Sequence, residues 1–151
     1  MRADPDAQRL LSGAALTAFK LNGRFLDVAE DLARPAGISA AWWQVLGAVL
    51  SGPLSVAGIA REMGITRQSV QRIADLLVER GLVEYRDNPA HRRAKLVAPT
   101  QQGRAAIAEI APGHAAFARR LVKAMGRDEL TNALAGMTKL CDTLDALAGG
   151  S

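Results

Sequence analysis

Between Ser55 and Gly81 the chain encodes two short amphipathic helices with almost no room between them. Ser55 stands where a side-chain cap opens the first, whose apolar stripe is Val56, Ile59, Ala60 and Met63. Gly64 falls where a left-handed residue ends a helix, and Thr66 is a capping residue for the next. Only Ile65 lies between them. The second helix repeats Val70, Ile73, Ala74 and Leu77 at helical spacing, and Gly81 closes it. A connection this short holds the pair in one arrangement, a helix-turn-helix.

Burying that second stripe turns Arg67, Gln68, Gln71 and Arg72 outward, with Ser69 at the edge of the face. Arg and Gln are the side chains that read guanine and adenine edges in a major groove, and both also bind phosphate. Arg67 occupies the first helical position, where the macrodipole disfavours a cation by about 0.3–1 kcal/mol. A charge set against its local field points to an external anion. Taken alone, Arg67 better fits a solvated surface arginine; the other three side chains and the chain that follows weigh against that.

Leu82-Val83-Glu84-Tyr85-Arg86 and Lys95-Leu96-Val97-Ala98 read as short strands. The segment between them, Asp87 to Ala94, is too long and too polar for a two-residue hairpin turn. Arg86, Arg92, Arg93 and Lys95 fall within ten residues that hold one acid, Asp87. A cationic loop directly after a recognition helix reaches the minor groove or flanking phosphates.

Long helices flank this middle. Asp4-Pro5-Asp6 opens the first, and Leu11, Ala14, Ala18, Leu21, Phe25, Val28 and Leu32 alternate three and four apart, a coiled-coil-like seam ended by Pro35-Ala36-Gly37. Ser39 caps a helix with Trp42, Val45, Leu46 and Val49 on its inner face. From Thr100 a helix resumes through Ile107, Ile110, Phe117, Leu121 and Met125, with Pro112-Gly113 expected to kink or interrupt it. The last starts near Gly126 and carries Leu130, Leu134, Met137, Cys141, Leu144 and Leu147, and 148–151 is expected to fray. The terminal seams can pack on each other or interdigitate with a second copy. Their combined length favours a symmetric homodimer, with Leu11, Leu21, Phe25, Leu121, Leu134 and Leu144 as interface candidates.

Composition agrees with a mainly α fold bearing a small β-hairpin. Of 151 residues 49% are hydrophobic but only 4% aromatic, so alanine and leucine build the core and helices prevail. The formal charge of +4 is modest. No apolar run is long enough to span a bilayer, and the start lacks a secretory h-region, so the expected location is cytoplasmic, away from membranes. One cysteine and two histidines, with no Gly-rich phosphate loop, leave no catalytic residue, metal site or cofactor to nominate.

The ordered set of motifs resembles the MarR family of bacterial winged helix-turn-helix regulators. It comprises Trp43-Gln44-Val45-Leu46, Leu54-Ser55-Val56-Ala57-Gly58-Ile59-Ala60, Ile65-Thr66-Arg67-Gln68-Ser69-Val70, Leu76-Leu77 and Gly81-Leu82-Val83. Asn88-Pro89 with Arg92-Arg93, Thr100 with Gly103, and Leu21-Asn22-Gly23 extend it over nearly the whole chain. The resemblance implies a dimer whose helical region is 1–37 and 101–151 and whose DNA-binding region is 38–100. It implies binding to a pseudo-palindromic operator in double-stranded DNA, usually as a repressor, with release by a small aromatic or anionic effector.

On this reading the DNA-binding set is Ser55, Thr66, Arg67, Gln68, Ser69, Gln71, Arg72, Arg86, His91, Arg92, Arg93 and Lys95. Phe19, Arg24, Trp42, Trp43, His114 and Phe117 are effector-pocket candidates, or simply core. Two departures from the family pattern stand in the wing. His91 replaces an Asp before the arginine pair, and Pro99 removes a backbone donor at the strand end. The alternatives are a winged-helix protein-interaction module and an oxidant sensor acting through Cys141, a residue that its place on an apolar seam suits better to packing as a small hydrophobe.

Overall fold

In a computed structural model of the chain, which describes residues 2–150, the Asp4 carboxylate accepts from the Ala7 amide at 3.0 Å and opens helix α1, Pro5–Ala33. A 3-10 turn, Arg34–Ala36, ends it. Helix α2, Ala40–Ala48, is capped twice. Ser39 Oγ accepts from the Trp42 amide at 3.2 Å, and Glu30 of α1 accepts from the Ala40 amide at 2.8 Å. That second bond fixes the end of α1 against the start of α2.

Strand β1, Leu54–Ser55, leads directly into α3, Val56–Met63, and α4 follows as Arg67–Glu79. Strands β2, Val83–Arg86, and β3, Leu96–Pro99, pair antiparallel, with Tyr85 opposite Val97. β1 joins the free edge of β3, giving the order β1-β3-β2. The sequence reading has two strands here. β1 is two residues long, too short to carry an alternating pattern, and Ser55 serves both as strand end and as helix cap. The ladder persists past Pro99, because the Thr100 amide donates to Leu82 O at 3.1 Å.

Helix α5, Gln101–Met125, runs unbroken through Pro112 rather than being interrupted there. A proline removes one amide donor, and the alanine-rich turns on either side keep the helix going. Helix α6, Arg127–Gly149, also exceeds expectation: Ala148 and Gly149 are helical, and the Gly150 amide closes on Ala146 O. Ser151 lies outside the described residues.

The chain divides into two compact units, residues 1–111 and 112–151. In the first, the core gathers Val45, Leu46, Val49, Ile59, Val70, Ile73, Ala74, Leu77, Val83 and Val97 with Ala33, Ala106 and Ile110. The α4 stripe is thus buried as its spacing predicts. Trp42 and Trp43 both lie against the core margin and neither is fully enclosed, where the sequence reading sends one inside. Each indole is wide enough to flank the small, aliphatic core without entering it. In the second unit α6 buries none of its residues in the chain. No helix among the described residues is long and apolar enough to cross a membrane.

Candidate nucleic-acid interface

The turn between α3 and α4 sets the geometry of the site. Gly64 adopts φ +66°, and its amide returns to Ala60 O, so α3 stops within one residue. Thr66 Oγ1 accepts from the Ser69 amide at 3.1 Å and donates to Ser69 Oγ at 2.9 Å. Arg67 is therefore the first helical residue, as expected, and neither α3 nor α4 carries an acid in its first turn. Thr66 is committed to capping, while Ser69 keeps its hydroxyl proton to donate. Ser55 Oγ accepts from the Gly58 amide at 3.0 Å and likewise keeps its own proton.

An open groove of roughly 570 Å³ lies between the start of α3, the exposed face of α4 and the wing. Ser55, Val56 and Ala57 line it from α3, Arg67, Gln68 and Gln71 from α4, and Tyr85, Arg93, Ala94 and Lys95 from the sheet and wing. Three cations face it and no lining residue is acidic. Two helix N-termini with their positive dipole ends add to the same field. Arg72, Arg92 and His91 are exposed but are not among the groove residues. In the wing, Asn88 accepts from the Ala90 amide through its side chain and from the His91 amide through its carbonyl, a turn that shapes the tip. Arg86 forms an ion pair with Glu84 at 2.8 Å, both about half exposed, so the pair is weakly held.

Two residues at this face escape the sequence reading. Gln71 Nε2 donates to Asp75 Oδ1 at 3.0 Å and to the Tyr85 hydroxyl at 2.9 Å, and the Tyr85 hydroxyl donates to the same Asp75 oxygen. Partial burial, then the hydrogen bond to Asp75 and its negative charge, push the Tyr85 phenol up to about 12, while the Gln71 amide acts the other way. The four-residue step from Gln71 to Asp75 is a helix-surface signal in the sequence. Tyr85 is ten residues further on, in a strand, and only the fold brings it there.

The effector candidates are divided between the units. Phe19 and Arg24 are exposed on α1, and Trp42 stacks under the Arg80 guanidinium at 5.4 Å. His114 and Phe117 belong to the second unit, where Arg120 lies 5.8 Å from the Phe117 ring. Cys141 is exposed on α6.

A helix-turn-helix joined to a three-stranded sheet with a projecting basic loop is a winged helix-turn-helix. Residues 36–94 match the MarR family model. The uncharacterized protein Rv2011c of Mycobacterium tuberculosis is 41% identical over 92 residues. That match spans 61% of this chain and 64% of the relative's length. Among solved structures, the MarR family transcription regulator SP03579 superposes with a TM-score of 0.75 at 21% identity, over 97% of this chain and 98% of its own. BpsR of Bordetella bronchiseptica, whose DNA binding is regulated by 6-hydroxynicotinic acid, gives 0.74 at 21% identity, over 85% and 98%. These likenesses establish the fold of the MarR family transcription regulators.

Proposed function

We propose that the chain is a sequence-specific DNA-binding transcription regulator that acts as a homodimer on an inverted repeat. The observation that carries this reading is the groove bordered by Arg67, Gln68, Gln71, Arg93 and Lys95, which three cations face from α4 and the wing and which has no lining acid. α4 enters the major groove with Arg67, Gln68, Gln71 and Arg72 toward base edges. Ser55, Ser69 and Lys95 meet phosphates, and Arg92, Arg93 and His91 follow the wing to the minor groove or backbone. Arg86 joins them by leaving Glu84, which costs little for an exposed pair. Repression relieved by a small aromatic or anionic molecule completes the proposal, supported by the regulation of BpsR by 6-hydroxynicotinic acid.

Selection from random duplex DNA at near-physiological salt tests it. An enriched inverted repeat with half-sites about one helical turn apart is expected. Arg93→Ala should then weaken binding across all sequences and flatten the salt dependence by about one phosphate contact. Binding that selects no sequence would leave a winged-helix interaction module as the better reading.

A further inference from the structure

Of the outward residues proposed to read bases from α4, Gln71 is held by its neighbours and the others are not. Among the described residues, the side chains of Arg67, Gln68 and Arg72 make no hydrogen bond or ion pair. The Gln71 amide nitrogen lies 3.0 Å from Asp75 Oδ1 and 2.9 Å from the Tyr85 hydroxyl, and the hydroxyl donates to that same Asp75 oxygen. Two oxygens bonded to each other sit on one side of the nitrogen, so a single N–H is shared between them. A carboxylate only accepts, so the nitrogen is the end of the amide that faces inward. The second N–H and Oε1 stay free, and these are the groups with which a glutamine meets a base edge.

We infer that Tyr85, together with Asp75, is a positioning residue that fixes the direction of the Gln71 amide before DNA arrives, so that one base pair meets its free donor and acceptor in a set order. This rests on the DNA-binding reading and deepens it. An unheld glutamine turns about three side-chain bonds and exchanges the places of its oxygen and nitrogen, so it suits the acceptors of guanine or thymine as well as the paired groups of adenine. Held at its nitrogen, Gln71 loses that tolerance, because turning Oε1 inward would set it against the Asp75 carboxylate. Part of the ordering that a bound side chain must undergo is also made in the free protein, which favours the base that the held amide suits. The anchors lie one turn further along α4 and on β2, and Tyr85 lines the same groove as Arg67 and Gln71.

Two measurements on the full-length protein test this. In the free protein, nitrogen-15 relaxation of the side-chain amides should find Gln71 more ordered than Gln68, its neighbour on the same face. Tyr85→Phe should lower the Gln71 order parameter toward that of Gln68, in the flexible range below about 0.6. Selection from random duplex DNA then compares the wild type with Gln71→Ala, Tyr85→Phe and Asp75→Asn. The base pair concerned is the one whose preference disappears in Gln71→Ala. Asp75→Asn supplies an amide that both donates and accepts, so it lets Gln71 turn over. Tyr85→Phe and Asp75→Asn should each cut the preference at that pair by about threefold or more, and neither should alter it in a Gln71→Ala background. A Gln71 amide as mobile as that of Gln68 in the wild type overturns the inference while leaving DNA recognition intact. So does a Tyr85→Phe profile identical to wild type, a loss spread evenly over every base pair, or a Gln71→Ala profile that loses no preference. Failure of the wild type to enrich any site sinks the DNA reading and this inference with it.

Discussion

Tyr85 is the single tyrosine in the chain, so its ionisation can be followed alone by ultraviolet absorbance. The midpoint should lie near 12 rather than 10. Asp75→Asn removes the charge and weakens the hydrogen bond but leaves the burial, so the midpoint should fall part of the way back toward 10. Gln71→Ala should move it the other way, because the amide favours the phenolate. A folded pKa above the unfolded value means the folded chain holds the proton more tightly. The stability this contributes is complete below pH 10 and is lost as pH rises through 12. Wild type should therefore lose more stability than Tyr85→Phe over that interval in urea titrations. Equal losses, or a phenol that titrates at 10, would break the Gln71–Asp75–Tyr85 network.

At the scale of elements, the turn from α4 into β2 is tied to the start of α5 by a contact too close for any side chain but glycine's. A Cβ at Gly103 would stand 2.1 Å from Leu82 O and 3.2 Å from Leu46 Cδ1. Thr100 secures the same junction, donating to Gly81 O at 2.6 Å and accepting from the Gly103 amide at 3.1 Å. Gly103→Ala should lower unfolding free energy by about 2–4 kcal/mol in urea, against about 1–2 kcal/mol for Thr100→Ala. Equal, small losses would mean that the junction adapts. The elements here were legible wherever they announce themselves locally. The caps Ser39, Ser55 and Thr66, the stripe Val70-Ile73-Ala74-Leu77 and the turn at Gly64 all form as their spacing requires. β1 was not legible, because two residues have no period and its partner β3 lies some forty residues on. The interruption offered at Pro112 does not occur for the opposite reason: a strong local breaker was overruled by helical neighbours. The cationic half of the candidate site could be read from residue types near one another in the chain. The Gln71–Asp75–Tyr85 network could not, since its members meet only after strand β2 packs beside α4.

At the scale of the whole molecule, the long helices leave apolar faces uncovered. Over its 29 residues α1 buries only Ala33, and over its 23 residues α6 buries none. Leu10, Leu11, Leu16, Phe19 and Phe25 on α1, with Leu134, Leu140, Leu144 and Leu147 on α6, stand between 48% and 71% exposed. Isolated helices draw most of their stability from packing an apolar face, so faces this long require a cover. In the proposed homodimer a second copy supplies one of matching length and chemistry, and the two-fold arrangement would present both recognition helices to an inverted repeat. Leu144 separates this from packing within one chain. It is 56% exposed in its own chain, so Leu144→Lys removes almost nothing from the protomer. Sedimentation should give twice the 16.0 kDa chain mass for the wild type and for Arg93→Ala, and a shift toward 16.0 kDa for Leu144→Lys. The monomerised variant should also lose binding to a full inverted repeat while keeping weak, salt-sensitive binding to a half-site, because its winged helix is untouched. A Leu144→Lys protein that stays dimeric would take α6 out of the interface and leave α1 to form it.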